Sequence, residues 1–168
     1  MIRILIDADL ILEALMNRNS LVKDINDLFD KFQSFMHIYM TDVGWQKIHA
    51  YASRMQNKKN TNIVLNWLKE KIKVYSVTKT ILQQARSSSL PDFESAVESL
   101  CANKQKFDAI VTHNPKNFID VTNKLWIWSV KELCVRASLE SQLQTSKFSR
   151  DTYVNLPFYK GSWGDYNF

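Results

Sequence analysis

The chain has 168 residues, 45% of them hydrophobic, and 22 Lys and Arg against 17 Asp and Glu give a formal net charge of +5. That length supports one hydrophobic core, and no apolar run is long enough for a membrane span. Three glycines in the whole chain cannot supply the GxGxxG or GxxxxGK[ST] loops that cradle phosphates, so nucleotide-binding folds built on them are excluded. The basic balance suits a polyanionic partner without identifying one.

The first residues, Ile2-Arg3-Ile4-Leu5-Ile6-Asp7-Ala8-Asp9-Leu10-Ile11-Leu12, read as a buried strand that carries Asp7 to its C-terminal tip, with a helix from Leu10 to Asn17 just beyond. Open α/β sheets place their sites at such tips. Two readings of Asp7 stand side by side: an acid of a functional site, or the N-cap of the next helix. The stretch has no basic start and no small-residue cleavage site, so it does not read as a signal peptide, and a cytoplasmic location is the expectation.

Asn17 to Ser20 reads as a turn, and Leu21, Ile25, Leu28, Phe29 and Phe32 recur at the spacing of an amphipathic helix. A second strand is predicted at His37-Ile38-Tyr39-Met40-Thr41, with Thr41 or Asp42 capping a helix that runs to about Gln56. Ile63, Val64, Trp67 and Leu68 mark a further helix, followed by a strand at Lys73–Val77 and a helical stretch from Thr78 to Ser88. Asp92 is a plausible N-cap for a helix ending near Lys106. Asp108–Thr112 is the fourth strand, its tip continuing into His113-Asn114-Pro115-Lys116-Asn117-Phe118, and Leu125-Trp126-Ile127-Trp128 the fifth, before a helix starting at Ser129. Strands alternating with helices predict an α/β fold, a three-layer α/β/α sandwich around a roughly five-stranded parallel sheet.

Cys101 and Cys134 sit within helical patterns and outside any CxxC or Cys/His spacing, which indicates buried structural thiols. His37, His49 and His113 lack a nucleophilic Ser or Cys in a recognisable context, so a nucleophilic enzyme is not favoured. Of the three, His113 is retained as a possible phosphate contact, because its neighbours place it beside a strand tip. Residues 1–143 form the expected domain. Residues 144–168, with eight aromatic or aliphatic anchors from Phe148 to Phe168 among Pro157, Gly161 and Gly164, have neither helical nor strand period. They read as an aromatic-rich tail that covers apolar surface or docks onto a partner.

Three segments, ILIDADLILEAL at the start, LPDFESAVESLCANKQKFDAIVTHNPKNF in the third quarter and LWIWSVKEL near the end, resemble the PIN domain, the nuclease fold of bacterial VapC-type toxins, over about residues 1–136. The resemblance implies a cluster of acids: one after the first strand, a Glu in the helix after the second, an Asp at the head of the helix before the fourth, and an Asn or Asp in a T-x-N/D turn after it. In the family these hold Mg²⁺ or Mn²⁺, since hard divalent cations take oxygen ligands and polarise water for attack on a phosphodiester. It further implies RNA as a substrate class, an antitoxin or other protein partner, and a homodimer.

Asp7 and Asn114 match this pattern, and Asp92 opens the right helix, so these three are the candidate catalytic and metal-binding residues. The rest departs from it. Lys47, or Gln46 in a register one residue earlier, stands where the family has Glu. Ser95 stands for the metal-binding Asp, and Asn117 replaces a frequent acid before Phe118. Asp7, Lys47, Ser95 and Asn114 carry at most one negative charge, so the site is expected to be degenerate and to bind Mg²⁺ or Mn²⁺ weakly. Lys47 is expected to place its ammonium on Asp7 in place of a metal. Alternatives are a solvated Lys47, or rescue of the site by Asp9, Asp42, Asp92, Glu94 or Glu98, with Asp92 the foremost. Function divides accordingly between a PIN-like RNA- or protein-binding module with lost or weakened nuclease activity and an active Mg²⁺/Mn²⁺-dependent endoribonuclease of the toxin–antitoxin type.

Overall fold

Ile4, Leu5 and Ile6 are fully buried because β1 (Ile2–Ile6) lies at the centre of a parallel sheet and is covered on both faces. The strand order is β3-β2-β1-β4-β5, with β2 at Met36–Thr41, β3 at Lys73–Tyr75, β4 at Ala109–Val111 and β5 at Trp126–Trp128. Every pairing is parallel. The computed structural model describes residues 1–16, 29, 36–54, 58–118, 125–139 and 142–143. The predicted turn at Asn17 to Ser20, most of the helix predicted over Leu21 to Phe32, and the tail 144–168 lie outside the described residues. Phe29 is described, helical and fully buried.

Among the described residues the helices in chain order include α1 (Ala8–Leu15), α2 (Asp42–Ser53), α3 (Lys58–Lys71), α4 (Lys79–Arg86) and α5 (Phe93–Gln105). A final helix, α6, covers residues 130–139. The pleat decides which helices meet which face. Ile4, Ile6, Ile38, Met40 and Val111 point to one side and pack with Leu10, Ile11, Ile48, Leu68 and Leu133 from α1, α2, α3 and α6. Leu5 and Ile110 point to the other and pack with Ala102, Phe107 and Phe118. A neighbouring cluster joins Ile81 and Ala85 of α4 to Ala96, Val97 and Cys101 of α5. The predicted three-layer architecture is present. Each fully buried Ile or Leu of β1 contributes about 1.5–3 kcal/mol relative to exposure, so the strand that carries Asp7 is among the firmest parts of the fold.

The predicted strand at Lys73–Val77 ends at Tyr75. Val77 leaves the ladder because its N–H donates to the Asp42 carboxylate at 3.2 Å, and Thr78 then caps α4 through the Ile81 N–H. At the other end of the sheet, α5 stops at Lys106 in the left-handed conformation, φ 54°. That turn delivers Phe107 to the core and Asp108 to β1, where Asp108 N–H donates to Arg3 O at 2.8 Å.

Candidate functional site

The parallel ladders continue one residue past the strands: Asp7 N–H donates to Val111 O at 2.9 Å and Thr112 N–H to Trp128 O at 3.0 Å. Asp7 and Thr112 therefore stand side by side at the C-terminal edge of the sheet, where the chain switches direction on either side of β1. Thr112 is fully buried and Asp7 is 8% exposed. The Thr112 hydroxyl donates to Asp7 Oδ2 at 2.7 Å and accepts from Asn114 N–H at 3.0 Å. Asp7 Oδ1 accepts from Asp9 N–H at 2.8 Å and caps α1. Of the two sequence readings of Asp7 the N-cap is observed, and the same side chain stands at the strand tips beside the T-x-N turn. Burial raises its pKa above the usual carboxylate value, and the Thr112 and Asp9 donors hold that rise back.

Lys47 reaches the same edge from α2. One turn earlier the helix passes close to α1 at Gly44, where a Cβ would lie 3.0 Å from Ala8 Cβ and 3.3 Å from Thr41 Oγ1. Gly44 N–H is capped by that Thr41 hydroxyl at 3.0 Å. This close approach brings Lys47 Nζ to 2.7 Å from Asp9 Oδ1 and 2.5 Å from Glu94 Oε2. The ion pairs expected between Lys47 and Asp7 therefore run to Asp9 and Glu94. The reason is reach: both Asp7 oxygens are taken by donors closer in chain and sheet, while Asp9 and Glu94 stand at the mouth. Partial burial works against the ammonium, but the two carboxylate bonds more than offset it and raise its pKa.

At the head of α5, Asp92 is the N-cap that the sequence predicts. Its Oδ2 accepts from Ser95 N–H at 2.8 Å and from Ser95 Oγ at 2.9 Å, so Asp92 is the helix cap and Ser95 its partner. The acid of α5 beside Asp7 is Glu98. It is 3% exposed, accepts from the Ala8 N–H, and feels the charges of Asp7, Glu94 and Asp9. Burial, followed by the repulsion of Asp7, pushes its carboxyl well above the usual range. Sequence reasoning ranked Glu98 below Asp92. The available signal was its position three residues after Ser95, on the same face of α5.

His113, proposed for phosphate, places Nε2 3.0 Å from Glu13 Oε1, so α1 holds it. Asn114 is half-buried behind the Thr112 hydroxyl, and Asn117 lies in the 3-10 turn Pro115–Phe118 with its N–H on Asn114 O. The Cys101 thiol is buried and pushed up to about 12, which leaves it without thiolate reactivity.

The sheet edge thus carries an acid after β1, a T-x-N turn after β4 and a polar helix head before β4. The family model for the PIN domain matches residues 3–116. The chain belongs to the PIN domain family. Solved structures with this fold include the DNA-bound VapBC of Salmonella typhimurium, TM-score 0.60 at 13% identity over 77% of this chain and 99% of that one. The VapBC-1 of nontypeable Haemophilus influenzae has TM-score 0.59 at 16% identity over 77% and 99%. The VapBC2 of Rickettsia felis, bound to a DNA fragment from its promoter, has TM-score 0.59 at 11% identity over 76% and 98%. At such identities the likeness is one of fold. No curated protein matches the chain in sequence. Among the described residues, no helix of this PIN domain is long and apolar enough to cross a membrane.

VapC-type PIN domains are generally metal-dependent nucleases. The donor set here does not fit a divalent cation. Among the described residues, no group of three or more His, Cys, Asp and Glu is arranged to hold one. The Ser95 hydroxyl is turned to Asp92, and an ammonium already bridges Asp9 and Glu94.

Proposed function

We propose that this PIN domain has lost or weakened its metal-dependent ribonuclease activity and acts as a regulatory module that binds a protein partner of the antitoxin type. The observation that carries the reading is the Lys47 ammonium between Asp9 and Glu94, a positive charge in a mouth where a nuclease of this family needs a divalent ion and free carboxylates. The preference for protein over RNA rests on charge. Asp7, Asp9, Glu13 and Glu94 border the strand tips against Lys47 and His113. Without a divalent cation a phosphate backbone meets net repulsion there, whereas a basic protein segment is attracted. Neighbours of the same fold were solved as VapBC and FitAB assemblies, in keeping with a protein partner.

A second reading, an active Mg²⁺/Mn²⁺-dependent endoribonuclease, is favoured by one observation: Glu98 supplies a buried acid beside Asp7. RNA cleavage with Mg²⁺ and Mn²⁺ separates the two. No turnover beyond that of Asp7→Ala is expected on the first reading, and metal-dependent turnover that Asp7→Ala abolishes would establish the second.

A further inference from the structure

Four carboxylates from three elements stand near the mouth of the cleft. Asp7 and Asp9 come from the tip of β1 and the first turn of α1, and Glu94 and Glu98 from one face of α5. They are close enough to act on one another: Glu98 is repelled by Asp7, Glu94 and Asp9, and Asp7 by Asp9. Such a set is unstable without a positive charge, because like charges in a half-buried site raise one another's energy. The chain provides that charge itself. Lys47, itself half-buried, crosses from α2 and closes on Asp9 of α1 and Glu94 of α5.

We propose that Lys47 is a tethered counter-ion: its ammonium takes the place of a metal ion in the mouth, ties α1, α2 and α5 together, and keeps a divalent cation out by holding the carboxylates of Asp9 and Glu94 to itself. The inference rests on the reading of a weakened nuclease and says what weakens it. An ammonium is a monovalent cation with three donors fixed on a four-carbon stem. It satisfies two carboxylates at the rim, holds their oxygens toward itself, and leaves the deeper pair Asp7 and Glu98 to backbone donors and Thr112. A divalent ion would have to displace it against two charge-assisted bonds and sit beside an ammonium. Removing the amine frees Asp9 and Glu94 and leaves the four acids without a cation, the condition under which a hard ion with oxygen ligands binds.

The experiment follows the melting temperature of the full chain in millimolar Mn²⁺ and in EDTA, for the wild type, Lys47→Arg, Lys47→Gln and Lys47→Glu. Lys47→Arg keeps a cation and guards against a general effect of substitution at this site, and circular dichroism checks that each variant is folded. The wild type and Lys47→Arg are expected to show no difference between Mn²⁺ and EDTA. Lys47→Gln and Lys47→Glu are expected to melt lower than the wild type in EDTA and to gain about 3 °C or more in Mn²⁺, since an ion that binds only the native state raises stability. Folded Gln and Glu variants with no gain in Mn²⁺ would overturn the proposal while leaving the weakened-nuclease reading intact. A wild type stabilised by Mn²⁺ as much as the variants would overturn it also, and Mn²⁺-dependent cleavage by that wild type would remove the reading beneath it. Should both variants fail to fold, Asp9→Asn/Glu94→Gln in the Lys47→Gln background removes the unpaired rim charges. That triple variant is expected to fold and to show no Mn²⁺ gain, and its failure to fold would also count against a purely electrostatic role.

Discussion

Thr112 Oγ1 lies 2.7 Å from Asp7 Oδ2 and 3.0 Å from Asn114 N, so one buried hydroxyl orders both the acid after β1 and the turn after β4. Thr112→Val keeps the shape and removes the hydroxyl. It leaves a buried carboxylate short of a donor and a backbone N–H short of an acceptor, a loss of about 1–3 kcal/mol. At about 2–4 °C per kcal/mol for a chain of this size, thermal melting of Thr112→Val is expected well below wild type, with Thr112→Ser close to it.

Glu98 makes stability depend on pH in a direction set by its burial. Its folded pKa is raised well above the ordinary 4.5, burial being the main cause. The folded state therefore holds a proton that the unfolded state has released. That contribution to stability is fully present below the unfolded pKa and is lost as pH rises through the folded value. Asp7, raised from 3.8 mainly by burial, acts in the same direction. Glu98→Gln holds the neutral form at every pH. In urea unfolding its advantage over the wild type is expected to grow as pH rises above the ordinary 4.5. A difference that does not change with pH would show that Glu98 titrates normally.

Asp92 and Ser95 are expected to behave as a cap and its partner. Asp92→Ala removes the acceptor for both Ser95 N–H and Ser95 Oγ and should cost about 1–2 kcal/mol, the range for a lost N-cap. Ser95→Ala keeps the backbone bond and should cost about 0.5–1.5 kcal/mol. Denaturation midpoints in that order support capping. Abolition of a metal-dependent activity by Asp92→Ala, with stability unchanged, would return Asp92 to a ligand role.

Gly44 sets how closely α2 approaches α1. A Cβ there meets Ala8 Cβ at 3.0 Å, and Gly44→Val adds still more volume at a point packed on two sides, which costs about 1–3 kcal/mol through overpacking. Because the same contact aims Lys47 at Asp9, this variant is expected to lower the melting temperature and to weaken its dependence on ionic strength, as the ion pair is lost.

The strands and the tips were legible because their signals are local. An apolar run buried on both faces ends at Asp7, a second ends at Thr112, and period and turn residues place both at one edge. Asp92, and Thr41 as one of two candidates with Asp42, are legible as caps for the same reason, each preceding a helical pattern, whereas Thr78 reads as the first helical residue and is the cap. The partners of long side chains were not. Whether Lys47 reaches Asp7 or stops at Asp9 and Glu94 depends on the spacing of α1, α2 and α5, which no segment encodes by itself. Asp92 stands ahead of Glu98 in the sequence because it opens the right helix, and a Glu in the second turn of a helix carries no local sign of burial. Only the fold, which sets α5 beside the tip of β1, shows Glu98 buried near the Ala8 N–H. His113 was read from its neighbours in sequence, and its partner Glu13 comes from another element.

The central claim, that this PIN domain has lost its metal-dependent nuclease activity, is tested most directly by single-turnover cleavage of a structured RNA in Mn²⁺, wild type against Asp7→Ala. The account predicts rates for the two that are the same and unaffected by EDTA. Cleavage by the wild type that requires Mn²⁺ and disappears in Asp7→Ala would contradict it.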